Sequence, residues 1–232
     1  MSASTPSAGA PNPSRFKTAS PPLSRGEILE AALRQAEAGG LDQLTVRKLA
    51  DELDVTPMAL YRHVRDKDDI LEGVADALLA KRGLPSEDAR WDEYLIELAS
   101  SLRSVLRDHP LLVSVFGRRP QVGPTARLRL AAGCDVLVAA GYAEVEAVRV
   151  YAAVHTYTIG FCALEAGRAA SGDRPEAGGD DQDGDGEDEQ LSALIAGFVT
   201  EQQFQFGLRS LVRGLPVPHR RRPAKEPAPK GI

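Results

Sequence analysis

Side chains able to act as nucleophile, base or metal ligand are scattered along this chain. His109, His155, Asp135, Glu165 and the two cysteines, Cys134 and Cys162, share no nucleophile-base spacing, and neither a phosphate loop nor a metal motif is present. The expectation is a protein that is no enzyme, holds no metal and needs no cofactor. The chemistry concentrates instead between residues 45 and 64, where two short apolar patterns flank a tight turn. Thr45 to Leu53 and Pro57 to Val64 suit a helix-turn-helix. The first stripe packs inward, while the second helix offers Thr56, Pro57, Met58 and Ala59 to a DNA major groove about 12 Å wide. Three of those four lack a strong hydrogen-bonding side chain, so base readout there rests on methyl contacts with thymine. The same pattern, read alone, also suits a plain helical hairpin.

The elements that must position these residues carry their own start and stop signals. Ser24-Arg25-Gly26-Glu27 has the spacing of a capping box, and Ile28, Ala32, Leu33 and Ala36 then line one helical face up to Gly39-Gly40. That predicts a first helix over about 25–38. Thr45 caps the second helix, whose Val46, Leu49, Ala50 and Leu53 fall on one stripe. Asp54-Val55 makes the turn, and Thr56-Pro57 pairs a capping hydroxyl with a proline at the first helical position. The third helix is expected to reach about Val64. Asp66 caps a fourth over about 67–82, with Ile70, Leu71, Val74, Leu78 and Leu79 inward.

Thr45-Val46-Arg47-Lys48-Leu49-Ala50, Leu53-Asp54-Val55, Met58 to Val64 and Lys67 together resemble the tetracycline-repressor (TetR) family of bacterial regulators. The resemblance is close over residues 24–80. Beyond, it consists of a helical layout and the fragments Gly117 to Pro120 and Gly160 to Glu165. It implies that Arg47 reaches a base edge, where a guanidinium suits guanine O6 and N7, and that Thr45 and Lys67 hold phosphate. It also implies that Tyr61 lays its ring beside the DNA backbone with its hydroxyl on phosphate, and that His63 is a structural or phosphate neighbour rather than a base reader. The family usually has Gly where Asp54 stands, a position expected to need φ > 0 at a cost of about 1 kcal/mol for Asp.

The same resemblance implies a homodimer built on the last two long helices, through Leu191, Leu194, Ile195, Phe198, Phe204, Leu208 and Leu211. It implies an effector pocket as well, for which Phe116, Arg119, Arg149, His155 and Thr156 are the candidates, being polar or aromatic groups in apolar helices. In the namesake repressors a histidine three residues before an Arg-Pro binds the drug's magnesium. Val115 or Phe116 stands there in this chain, which argues for another ligand. The reading is a repressor released from double-stranded operator DNA by an unknown small-molecule effector. The alternative is an effector-independent activator or partner-binding regulator.

Composition sets the frame. Apolar residues make up 43% and charged residues 26% of the 232, with few β-branched runs, so an all-α fold is expected: a three-helix helix-turn-helix domain (24–83) and a larger helical effector-binding and dimerisation domain (84–213). The remaining helices are predicted near 88–108, 110–117, 123–140, 143–169 and 187–213. Residues 1–23 read as a disordered arm, 171–189 as a mobile acidic loop and 214–232 as a disordered basic tail. The net charge is −5, yet Asp173 to Glu189 alone holds nine carboxylates against Arg174, which leaves the rest net positive and DNA within reach. Both cysteines are expected to be buried thiols. No signal-peptide apolar core and no uninterrupted apolar span occur, so a cytoplasmic protein off the membrane is expected.

Overall fold

The computed structural model describes residues 23–118, 123–171 and 197–216. Among the described residues the chain is all-α, as the composition predicts. The helices are α1 (Arg25–Gly39), α2 (Val46–Glu52), α3 (Pro57–Leu60), α4 (Lys67–Arg82), α5 (Trp91–Asp108), α6 (Leu112–Arg118), α7 (Gly123–Ala140), α8 (Glu144–Ser171) and α9 (Glu201–Gly214), with single 3-10 turns at Leu41–Gln43 and Gly197–Val199. The arm expected at 1–23, apart from Leu23, lies outside the described residues. So do the acidic loop beyond Ser171, the first part of the helix expected at 187–213, and all of the basic tail beyond Pro216.

Local chemistry explains the boundaries. In the capping box of α1, the Ser24 hydroxyl accepts from the Glu27 N–H at 3.2 Å and the Glu27 carboxylate accepts from the Ser24 N–H at 2.8 Å. Asp66 accepts from Asp69 N at 2.8 Å to open α4, whose bounds match those read from the sequence. The third helix is shorter than predicted. Its α-helical part stops at Leu60, and residues 61–63 form a turn. Leu60 and Val64 are both buried, and Asp66, extended at φ −160, must begin a helix in a new direction only two residues later. Helix α5 starts at Trp91 rather than 88 because Ser86 folds the preceding residues into a turn, accepting from Asp88 N and Ala89 N. Thr200, extended and capping Gln203 N, likewise gives α9 its own start within the long helix expected at 187–213.

The helices share two apolar clusters. One joins α1–α4 to α5, α6 and Cys162 of α8 through Leu49, Leu60, Val74, Leu102 and Phe116. The core that seats the helix-turn-helix therefore runs unbroken into the second half of the chain. The other packs α5, α7, α8 and α9 around Leu95, Leu137, Val154, Phe161 and Phe204. Two glycines permit close approach there. A Cβ on Gly133 of α7 would lie 2.8 Å from the Tyr151 ring, and one on Gly207 of α9 would overlap the Tyr157 hydroxyl, which donates to the Phe204 carbonyl at 3.0 Å. Arg103 of α5 is nearly sealed between the Phe161 and Phe204 rings and pairs with Glu165 of α8 at 2.6 Å and with Glu201 of α9. Burial opposes its charge, and the two carboxylates more than restore it.

Some residues expected at the dimer interface are used within the chain. Phe204 and Leu208 are fully buried intramolecularly and Leu211 is half-buried, whereas Phe198 and Phe206 stand exposed, as do Val145, Val148 and Leu164 of α8. Leu191, Leu194 and Ile195 lie outside the described residues. Cys162 is buried, but Cys134 is only half-buried, and both are free thiols. Among the described residues no helix is long and apolar enough to cross a membrane.

Candidate nucleic-acid interface and adjoining cavity

Helix α2 is two turns long and anchored by Leu49 and Ala50, which are wholly buried. It ends in a Schellman arrangement: Val55 N donates to Ala50 O at 3.0 Å and Asp54 N to Asp51 O at 3.3 Å. Asp54 sits at φ 53, the left-handed conformation expected where the family has Gly. Thr45 caps α2 through Lys48 N at 3.2 Å, and Thr56 caps α3 through Ala59 N at 3.3 Å, with Pro57 at the first position. A capping hydroxyl uses a lone pair, so its own hydrogen stays available to a phosphate oxygen.

The tip of α3 faces solvent. Met58 is 73% exposed and Tyr61 45%, so Tyr61 is no core residue. Arg47, Thr45, Thr56, Pro57, His63 and Lys67 are exposed and Ala59 is half-buried. Among the described residues Arg47 has no ion-pair partner, Asp51 included. Arg62, part of the motif but given no DNA contact above, adds an exposed cation beside Tyr61.

Asp69 fixes this unit to its surroundings. The buried carboxylate accepts from Arg25 at 2.9 and 3.2 Å and from Arg65 N at 3.0 Å, so α1, the α3–α4 turn and α4 meet on one side chain. Burial alone would raise its pKa, but the Arg65 N–H and the Arg25 and Arg65 guanidiniums hold it below the usual carboxylate value.

A cavity lies where α4, α5, α6, α7 and α8 converge. Its unfilled space comes to about 430 Å³ with the open solvent at its mouth counted in, and to about 30 Å³ within the walls, which include Leu79, Leu98, Leu102, Phe116, Arg129 and His155. Of the candidates named from sequence, Phe116 and His155 are brought together here. Arg119 lies outside the described residues. Thr156 is exposed on the other side of α8, and Arg149 lies beside Tyr142, Leu215 and Pro216 in a separate surface groove. Thr158, two residues from Thr156, is the threonine that lines the cavity; it is fully buried and donates to Val154 O at 2.9 Å. The sequence reading also missed Tyr151 and Arg129. Arg129 falls on one α7 stripe with Ala126, Gly133 and Leu137, and a cation on a buried stripe is the signal that would have found it.

Burial governs the polar groups of the cavity. It pushes the Tyr151 hydroxyl up to about 12, partly offset by Arg129 nearby, and pushes His155 down, so the phenol keeps its proton and the imidazole stays neutral. The His155 ring stacks on Tyr151 at 5.9 Å, and its buried Nε2 has no hydrogen-bond partner.

Comparison with known proteins reports on both halves. Residues 28–74 match the model of "Bacterial regulatory proteins, tetR family", and residues 84–217 match that of "Tetracyclin repressor-like, C-terminal domain". An HTH-type transcriptional regulator of Saccharopolyspora erythraea is 35% identical over 154 residues, covering 66% of this chain and 65% of the relative, which is just under two thirds of its length. The class A tetracycline repressor of transposon 1721 from Escherichia coli is 31% identical over 208 residues, 83% of this chain and 90% of the relative. The crystal structure of the Streptomyces coelicolor protein ActR in complex with actinorhodin superposes with a TM-score of 0.66 at 25% identity, covering 84% of this chain and 96% of the other.

Proposed function

Since the chain belongs to the TetR family of DNA-binding transcription regulators, we propose that it is a dimeric repressor which holds an operator through α2 and α3 and releases it when a small molecule fills the cavity. One observation carries this reading: a single helix, α4, serves both sites. Its first turn holds Asp69, which ties down the turn after α3. Its last turn contributes Leu79 to the cavity wall, and its terminal Gly83 carbonyl accepts from Arg129 at 2.5 Å. A ligand that shifts the C-terminal end of α4 moves the helix-turn-helix with it, and binding energy reaches DNA only through such a difference between two states.

In this reading Arg47 contacts a base edge. Thr45, Tyr61 and Lys67 hold phosphates, His63 neighbours the backbone, and Thr56, Pro57, Met58 and Ala59 meet thymine methyls. The helix-turn-helix unit spans 24–83 and the effector-binding unit 84–213. The exposed Val145, Val148, Leu164, Phe198 and Phe206 form the surface that pairs with a second copy. Such pairing sets two recognition helices about 34 Å apart, one turn of DNA. Selection of random duplexes by the full-length protein tests the reading. The expected product is a palindrome with half-sites one turn apart, and failure to enrich any duplex would sink it.

A further inference from the structure

The two arginines buried among the described residues are treated differently. Arg103 is flanked by two carboxylates, whereas Arg129, 4% exposed, has only neutral acceptors: Gly83 O at 2.5 Å, Leu98 O at 3.1 Å and the Ser101 hydroxyl. No carboxylate pairs with it among the described residues. Its Nε–H and one Nη1–H find no acceptor there. Carbonyls solvate a guanidinium but do not neutralise it, and a buried cation is stable in proportion to the counter-charge it meets. Arg129 lines the cavity, so that counter-charge can arrive with a ligand.

We propose that the cavity is shaped for an organic acid: a small apolar molecule whose anionic oxygen pairs with Arg129 while His155 and Tyr151 hydrogen-bond its polar end. The proposal rests on the reading that this cavity is the effector site. Three groups supply the polar end. Arg129 is a permanent cation. Tyr151 keeps its hydrogen and can donate it to an anionic oxygen. His155 is neutral, and its Nε2 has no partner within the protein. The apolar part of the wall, with Leu79, Leu98, Leu102, Phe116 and Val154, takes an apolar body, which on entry displaces water that would otherwise screen the pair. The same guanidinium also holds the Gly83 carbonyl at the end of α4. An anion drawing on Arg129 competes with that carbonyl, which gives the charge of the ligand a direct line to the helix that carries the DNA-reading unit.

Isothermal titration of the full-length protein with 2-naphthoate and decanoate, each against its neutral amide, reads the preference. Each acid is expected to bind at least about tenfold more tightly than its amide, because only the carboxylate brings the counter-charge that the Arg129 guanidinium lacks. R129Q should erase that ratio by weakening the acids far more than the amides, and R129K, which keeps the positive charge, should retain a preference for the acids. Equal affinities for acid and amide in the unmodified protein overturn the proposal, as does the absence of binding by either acid at millimolar concentration. Survival of the ratio in R129Q does so too, since Arg129 would then be only a structural tie to Gly83. If R129Q does not fold by circular dichroism, the ratio in the unmodified protein decides. A gel shift with the selected operator separates the two readings. Acids that bind with the expected ratio yet leave DNA bound refute release and leave this proposal standing, whereas release by the amides as readily as by the acids refutes this proposal alone.

Discussion

Asp76 is where the coupling between the two halves can be tested by a single substitution. It lies in the middle of α4, and its Oδ1 accepts from Thr125 N at 2.8 Å and Ala126 N at 3.2 Å, while Oδ2 accepts from the Thr125 hydroxyl at 2.9 Å. A side chain of one helix thus does for the first turn of another what a cap does for its own. A hydrogen bond to a charged group contributes about 1.5–3 kcal/mol when buried, and an anion at a helix N-terminus about 0.3–1 kcal/mol. Asp76 is half-buried, so water recovers part of each bond when the carboxylate is removed. Asp76→Ala should therefore cost about 2 kcal/mol, and Asp76→Asn, which keeps an acceptor for the two amides, about 1 kcal/mol. Urea unfolding of the full-length protein should show this as a lower midpoint at unchanged slope. Because the tie joins α4 to the helix that carries Arg129, Asp76→Ala should also weaken operator release more than ligand binding. A loss below about 0.5 kcal/mol would refute the claim that this carboxylate holds α7 to α4.

Arg47→Ala should weaken operator binding by about 1–3 kcal/mol and relax discrimination at one base pair, while Lys67→Ala should weaken all sequences alike and lower the salt slope by about one; fluorescence anisotropy across a salt series distinguishes them, and a uniform loss from Arg47→Ala would contradict a base contact. Asp54→Gly should stabilise the fold by up to about 1 kcal/mol, the gain from φ 53 being partly offset by the greater freedom of Gly in the unfolded chain; an unchanged or lower melting temperature would count against strain at that turn. Acid should destabilise the protein from pH 6.5 downward. Burial depresses His109 and His155 below their ordinary 6.5, so the unfolded chain takes up protons first and stability falls with pH. The double variant His109→Asn with His155→Asn should flatten the denaturation midpoint between pH 7 and 5.5, and an unchanged slope would show that neither imidazole is kept neutral.

Where a local signal acts alone, the sequence foretells the structure well. The bounds of α4 and α7, the caps at Ser24, Thr45, Thr56 and Asp66, and the left-handed turn at Asp54 each follow from a few adjacent residues. The misses need tertiary information. Helix α3 stops at Leu60 because Val64 must also reach the core and Asp66 must start anew, a constraint set by the packing of α4 rather than by propensity. Helix α8 is apolar on several sides, being packed against α5, α6, α7 and α9. Nothing in its periodicity says that Thr158 faces the cavity and Thr156 does not. Arg149 looked like a pocket residue for the same reason, yet it belongs to an exposed face.

The bare backbones of Gly133 and Gly207 have a mechanical consequence. Tyr151 and Tyr157 of α8 press into them from different sides, one against α7 and the other against α9, so the three helices mesh like teeth in two notches. Rolling α8 about its axis would drive both rings into main chain, which close-packed interiors resist. Tilting it, or sliding it with its neighbours, does not. In the proposed release, motion passing from the cavity to α4 is thereby restricted to translation and tilt, and an alanine at Gly207 would jam the gearing at Tyr157 without touching any group proposed to meet ligand or DNA.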